Sequence, residues 1–421
     1  MRDRRAFELI EGTVLPELIA RRRGEHRLRL WSAACCTGEE TYSLAIAVRR
    51  ALPDLGNWKV SILGTDINRR FLDRAEEGTF GEWSFRETPA GFREQYFTKV
   101  AGVRWQLRPE IRAMVSFAHL NLAEDIYPSL LNNTNAADLI LCRNALMYFT
   151  PAHAARVVTR LSRCLADGGW LLLGPSEIPH EPPADLRPHR FSGATFHRRD
   201  TPGAPATGAV SLPVDIAPDF PPPAFEFAAS GSAEAPAEPP PVDPAPSPAP
   251  AEIPSVSPYE QARSLFDAGR YAETIGTLAA NYPDDAAESR VTILRTRALA
   301  NQGRLDEALA TSRRVVADDK LNPVGHYLQA GILQELGDAN EAAAAFKRAL
   351  YLEPDFVLAH FALGTLARRQ GRAAESARHF ENALALVRCR DPAEILPESD
   401  GLTAGRLAEI IAGLEPARSA A

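Results

Sequence analysis

The stretch Trp31-Ser32-Ala33-Ala34-Cys35-Cys36-Thr37-Gly38-Glu39-Glu40-Thr41-Tyr42-Ser43 decides how this chain is read. It follows the apolar run around Leu28 and Leu30 and leads into a helical pattern at Leu44, Ile46, Ala47 and Val48. The order is a strand, a turn of small residues, and a helix N-terminus with two acids in its first turn. Small residues let the backbone approach a ligand closely, and free N–H groups at a helix start can hold its polar atoms. In doubly wound α/β folds, a loop of this kind at the carboxyl end of the first strand is where nucleotides bind. The spacing is not Gly-x-Gly-x-x-Gly, which disfavours a generic dinucleotide site.

Outward from that loop, residues 1–200 alternate strand and helix signals. Strands are expected at Arg27–Ser32, Lys59–Thr65, Val115–His119, Ala137–Cys142 and Trp170–Leu173, and helices at Arg4–Arg22, Glu39–Leu52, Asn68–Glu77 and Pro151–Ala166. Pro151 suits a first helical position, and Asp167-Gly168-Gly169 suits a stop. Such alternation implies an α/β doubly wound fold, a parallel sheet covered on both faces. Residues 95–108 alternate and turn at Ala101-Gly102, which predicts a small hairpin outside the main sheet.

The 421 residues suit two or three domains. Residues 1–200 carry 28 Lys and Arg against 24 Asp and Glu, and the remainder 19 against 30. That basic excess is too diffuse for a nucleic-acid partner. The five cysteines form no Cys-x-x-Cys pair and no zinc spacing, so no metal is expected, and a reducing compartment is. No run approaches the ~18 apolar residues of a membrane span, and the N-terminus is charged, so the chain reads as soluble and cytoplasmic.

Residues 201–257 change character: dense in Pro, Ala and Ser, with seven acids and no Lys or Arg. This stretch cannot bury a core and reads as a disordered linker. Beyond it, Gly269, Gly303, Gly337 and Gly371 recur every 34 residues. Small residues stand seven before each (Ala262, Thr296, Ala330, Gly364) and five after (Thr274, Ala308, Ala342, Ser376). A 34-residue period with Gly between paired helices resembles the tetratricopeptide repeat, giving an all-α domain of four repeats over 258–388. Residues 389–421 hold a pattern (Leu402, Leu407, Ile410, Ile411, Leu414) suited to a capping helix and tail.

Four loops of the first domain follow strands, where an open α/β sheet places its site. The first is Ala33–Glu40. In the second, Asp66 can accept both hydroxyls of a ribose, with a helix cap as its structural alternative. In the third, Asn121 can meet an adenine edge or merely form a turn. In the fourth, Arg143 and Asn144 follow the apolar Leu139-Ile140-Leu141; a buried ion pair is the alternative for Arg143. His119 reads as a strand-end residue rather than a base.

Trp31–Ser43, Gly64–Asn68, Asn121-Leu122, Cys142–Phe149 and Gly174-Pro175-Ser176-Glu177 together resemble the chemotaxis-receptor methyltransferases. That family comprises S-adenosylmethionine-dependent protein-glutamate O-methyltransferases with a Rossmann-like class I fold. The resemblance covers residues 2 to about 198 and implies cofactor contacts at Glu39, Asp66, Asn121, Leu122, Arg143 and Asn144. Cys36 stands where the family has Ser, and Thr41 where it has Pro. In the family a small helical domain and an Asn-x-Thr-x-Phe-Phe-Arg-type segment come first. Arg2 aligns with the Arg of that segment as a further cofactor contact, and the helical domain is missing from these residues.

A glutamate side chain, with an ordinary pKa of about 4.3, is already anionic at neutral pH and can attack a methyl sulfonium without a base. The enzyme must align the groups and exclude water. Tyr148 and an Arg of the run Arg21-Arg22-Arg23, Arg23 foremost, are candidates to hold the incoming carboxylate, although a solvated helix end also explains that run. The implied partners are a methyl-accepting receptor or similar coiled-coil signalling protein and a protein ligand of the repeats. The alternative is a truncated, weakly active or inactive cofactor-binding scaffold acting through its repeats.

Overall fold

A computed structural model describes residues 4–89, 91–100, 102–124, 126–130, 132–179, 181–191, 194–200, 257–282, 288–399 and 401–414. Arg2, almost all of the expected linker and the end of the tail lie outside the described residues.

The first domain is built on strands β1 (Arg27–Ala33), β2 (Lys59–Asp66), β3 (Thr79–Gly81), β4 (Phe97–Lys99), β5 (Arg104–Leu107), β6 (Val115–His119), β7 (Ala137–Cys142), β8 (Leu165–Leu173), β9 (Leu186–Phe191) and β10 (Ala194–Arg199). Among the described residues, seven of them form one sheet in the order β6-β2-β1-β7-β8-β10-β9. The first five strands of that order are parallel, and β10 runs antiparallel to both β8 and β9. β1 is the middle one of these five, with Leu30 opposite Ile62 of β2 and Leu139 of β7. The chain leaves β1 towards β2 on one side and later crosses from β6 to β7 on the other, so the loops after β1 and β7 diverge and open a crevice there.

Burial on both faces explains the apolar runs. Leu28 and Leu30 share a core with Leu44, Ile46 and Val48 of the helix Glu39–Ala51. Trp31 and Ala33 alternate to the opposite core, with Val157 and Leu161 of the helix Pro151–Cys164. Both layers of the doubly wound fold thus hang on one strand.

Several elements differ from the sequence-based expectation. The first helix is not continuous: Arg4–Leu9 and Leu15–Arg21 are α-helical, and Ile10–Val14 between them is a π-helical turn, the Leu15 N–H bonding to the Ile10 carbonyl. Pro16 has no N–H to continue the ladder, and the wide turn absorbs the gap. The helix after Pro151 ends at Cys164, and Leu165 already belongs to β8, where the pairing with β7 slips between Ala137 and Leu139. Gly169 is required at that bulge, since a Cβ there would lie 2.8 Å from the Ala166 oxygen and 2.9 Å from that of Ala137. The expected hairpin is present as β4 and β5, extended by β3 into a three-stranded antiparallel sheet. β9 and β10 were not expected, because Arg and His interrupt their alternation.

The C-terminal region pairs helices Pro258–Asp267 with Tyr271–Asn281, Ser289–Asn301 with Leu305–Asp318, Pro323–Leu336 with Ala339–Leu352, and Val357–Arg369 with Ala373–Arg388. The four repeating glycines sit in the intrapair turns with φ of 76°, 78°, 86° and 72°, the left-handed region that favours glycine. The small positions are helix contacts: Ala262, Thr296, Ala330, Thr274, Ala308 and Ala342 are all fully buried. A Cβ on Gly364 would lie 2.6 Å from the Phe380 ring. The helix Ala404–Leu414 covers the last pair with Leu407 and Ile411.

The repeats pack directly on the first domain. Side chains of the first domain donate to backbone carbonyls in or just after the helices of the repeat region. Arg199 donates to the Gly269 oxygen at 3.1 Å, Asn135 to that of Ala300 at 3.0 Å, Lys59 to that of Leu336 at 2.8 Å and Arg69 to that of Glu409 at 3.0 Å. Arg29 of β1 and Glu335 form a buried ion pair.

Candidate functional site

The loop after β1 has a strained backbone. Ala34 and Cys36, neither of them glycine, have φ of 59° and 54°, and Gly38 has 88°. Such conformations persist only where surrounding bonds enforce them, and they concentrate at functional sites. Cys35 N–H donates to the Thr65 oxygen at 2.8 Å and Gly38 N–H to that of Cys35 at 3.0 Å. Cys36 N–H donates to Asp66 Oδ2 at 2.8 Å.

Asp66 ends β2 and is 8% exposed. Its Oδ1 accepts from Asn68 N–H at 2.8 Å, while Asn68 itself caps the next helix by accepting from Arg70 N–H. The carboxylate therefore braces the β1 loop and leaves the capping to its neighbour. After β6, Asn121 Oδ1 accepts from Ala123 N–H at 3.0 Å, a turn, and its amide donates to Glu124 at 2.9 Å. After β7, Asn144 has φ of 57°. Arg143 pairs with Glu40 at 3.5 Å, and Ser32 donates to the other oxygen of Glu40 at 2.7 Å. For Asn121 and Arg143 the structural alternative and the crevice position are both realised.

These loops surround a cavity of about 590 Å³, lined among others by Cys36, Glu39, Asp66, Leu122, Arg143 and Asn144, with Asn121 and Tyr148 also on its wall. That volume suits a cofactor-sized ligand. Carboxylates of Glu39, Glu40 and Asp66 dominate its charge, which favours a cationic ligand. Thr37 and Ser84 both donate to Glu39, at 2.6 and 3.1 Å. Burial pushes the Cys35 thiol far up, with Asp66 adding to the effect, and burial also raises that of Cys36. Both stay protonated, so neither supplies a thiolate.

The model of the CheR methyltransferase, SAM binding domain matches residues 1–187, and that of a tetratricopeptide repeat matches residues 325–356. Chemotaxis protein methyltransferase 1 of Pseudomonas aeruginosa is 37% identical over 201 residues, 47% of this chain and 71% of that protein. The chain belongs to the chemotaxis protein methyltransferase family. Chemotaxis protein methyltransferase Cher2 of Pseudomonas putida is 34% identical over 180 residues, 42% of this chain and 63% of that one, so the chain spans less than two thirds of this relative. A MamA structure from Desulfovibrio magneticus RS-1 is similar to the repeats at 19% identity, covering 32% of this chain and 79% of that one, with a TM-score of 0.30.

The cofactor of this methyltransferase domain is S-adenosylmethionine. The cavity fits it: a buried acid for a diol at Asp66, an amide at Asn121 beside apolar Leu122, and acids for a sulfonium and an amine. Tyr148, 82% exposed, stands at the mouth. Arg23 stands elsewhere. It is in the turn before β1, at the amino end of the strand and away from the cavity, so it cannot hold a substrate there. The two arginines beside it are structural: Arg22 donates to Asp138 at 2.8 Å and Arg21 to the Gly168 oxygen.

The methyltransferase site also uses residues that had no role assigned from sequence. Glu177, 6% exposed, accepts from the backbone N–H groups of Asn144 at 2.7 Å, Gly174 at 3.0 Å and Met147 at 3.2 Å. It pins the whole β7 loop on which Arg143, Asn144 and Tyr148 ride. Its position inside Gly174-Pro175-Ser176-Glu177 was visible, but its partners Asn144 and Met147 lie 33 and 30 residues away. Glu40, adjacent to Glu39, holds Arg143 differently, by an ion pair with its guanidinium.

Proposed function

We propose that this protein transfers the methyl group of S-adenosylmethionine to glutamate side chains of a chemoreceptor or similar coiled-coil signalling protein, giving methyl esters. The observation that carries this reading is the cavity itself: three carboxylates, one of them the buried ribose-type acid Asp66, beneath a mouth that presents Tyr148. S-adenosylmethionine supplies an activated methyl on a sulfonium. Glu39, Asp66, Asn121, Leu122, Arg143 and Asn144 hold it, and Glu177 fixes the loop that carries two of them. Tyr148 orients the arriving carboxylate and helps exclude water. The carboxylate oxygen forms its bond to the methyl carbon as the carbon–sulfur bond breaks, so no proton moves and no general base is needed. A neutralised glutamate relieves repulsion between neighbouring acids on a receptor helix. The repeats recruit a protein partner.

The test is transfer of a labelled methyl group from S-adenosylmethionine to receptor, followed by mild base. Base-labile label on glutamate is expected; base-stable label, or none, defeats the reading. Calorimetry with S-adenosylhomocysteine separates the enzyme from a scaffold that binds no cofactor. Asp66→Ala should abolish most of that heat, since it removes both a ligand-facing acid and the brace on Cys36.

A further inference from the structure

The cavity wall at Asn121 is not finished by the methyltransferase domain. Asn121 donates to Glu124 Oε1, and the other carboxylate oxygen of Glu124 pairs with Arg406 Nε at 2.8 Å. Arg406 belongs to the helix Ala404–Leu414, which closes the repeat array nearly 300 residues further along the chain. Its Nη2 reaches His119 Nδ1 at 3.3 Å, at the end of β6 immediately before the loop. Because guanidinium only donates, His119 Nδ1 is the acceptor and the ring is neutral. Arg69 holds the same helix independently, through the carbonyls of Glu409 and Ile410. The side chain of Arg406 is 18% exposed and that of Glu124 30%, so the pair is only partly screened by water.

We infer that Arg406 is a positioning residue of the cofactor cavity. It holds Glu124, and through it the Asn121 amide, so that cofactor affinity depends on the seating of the last repeat helix. This rests on the reading of the cavity as the cofactor site. Arg160 of the helix Pro151–Cys164 fixes the same loop by donating to the Ala123 and Glu124 carbonyls, each at 3.0 Å. The backbone is thus anchored within its own domain, while the carboxylate that aims Asn121 is set by the repeats. A protein that displaces the last helix would loosen Asn121 and weaken cofactor binding, which gives the repeats a route to the chemistry.

The experiment is calorimetric titration of the full chain with S-adenosylhomocysteine, with a thermal melt of each variant. Arg406→Met should weaken binding roughly three- to tenfold, the scale of a single coupled contact. Arg406→Lys, which keeps the charge, should recover most of the loss. Glu124→Gln should match Arg406→Met, and the double variant should be no weaker than either. Arg69→Met removes anchoring of the same helix without touching Glu124. Equal losses in Arg69→Met and Arg406→Met would assign the effect to docking in general and overturn the relay. Unchanged affinity in Arg406→Met overturns the coupling alone, whereas absence of binding in the unaltered chain overturns the cofactor assignment and the coupling with it.

Discussion

Glu177 converts three stray backbone N–H groups into a fixed loop, and each of those bonds is charge-assisted. Hydrogen bonds to a charged group contribute about 1.5–3 kcal/mol apiece, more than neutral ones. Replacing it by Gln keeps the shape but opposes an amide N–H to a backbone N–H. Glu177→Gln should therefore cost about 2 kcal/mol of stability and weaken S-adenosylhomocysteine binding, read by chemical denaturation and calorimetry. Behaviour like the unaltered chain in both would remove the pinning role. At this scale, which residues reach the crevice was legible: Asp66, Asn121, Arg143 and Asn144 each follow an apolar strand. What held them was not, because Glu40, Glu124 and Glu177 act through loops that meet only in the fold. Arg23 lies away from the crevice. Three consecutive arginines look like an anion site, but two of them are consumed by Asp138 and Gly168 at the wrong end of the sheet.

Among the elements, the last helix pair carries an acid-sensitive contact. His360 and His379 face each other across it with Nδ1 atoms 3.0 Å apart, and His360 Nε2 donates to the Pro354 carbonyl at 3.2 Å. Only one proton fits between the two Nδ1 atoms. Burial lowers both rings below the ordinary 6.5, His379 to about 4 with His360 adding to its shift. A base depressed in the fold binds protons more readily once unfolded, so its contribution to stability is complete above 6.5 and falls as pH drops from there towards 4. Thermal melts at neutral pH and near pH 5 should show a larger loss for the unaltered chain than for His379→Gln. Parallel losses would remove this pair as the cause. Element boundaries were read well at β7, an unbroken apolar run, and the 34-residue period placed the intrapair turns of the repeats. They failed at Pro16, where a π-turn replaced a straight helix, and at β3, whose three residues are too few to show alternation.

Across the whole molecule, Arg29 ties the central strand to the repeats. Burial holds its guanidinium down at about 10, against the pull of Asp138 in the other direction, so it remains cationic at neutral pH and keeps its need for a counter-charge. Removing one member of a buried pair leaves the other uncompensated, at a cost of about 3–5 kcal/mol. Glu335→Ala should lose stability on that scale and expose the joint between domains to limited proteolysis, while Arg29→Met with Glu335→Leu should restore most of it. Melting and protease digestion of the single and double variants decide this. The sequence announced both domains but not their joint, since an Arg within an apolar strand and a Glu near a helix end carry no sign of each other. The helix ends that meet Arg199, Asn135 and Lys59 follow one another at the repeat spacing, yet each meets a different partner. A free repeat array can gain or lose a unit and remain sound. Here a unit inserted among the first three would carry the later helix ends away from Asn135 and Lys59, so the methyltransferase domain gives the array a register that a free array lacks.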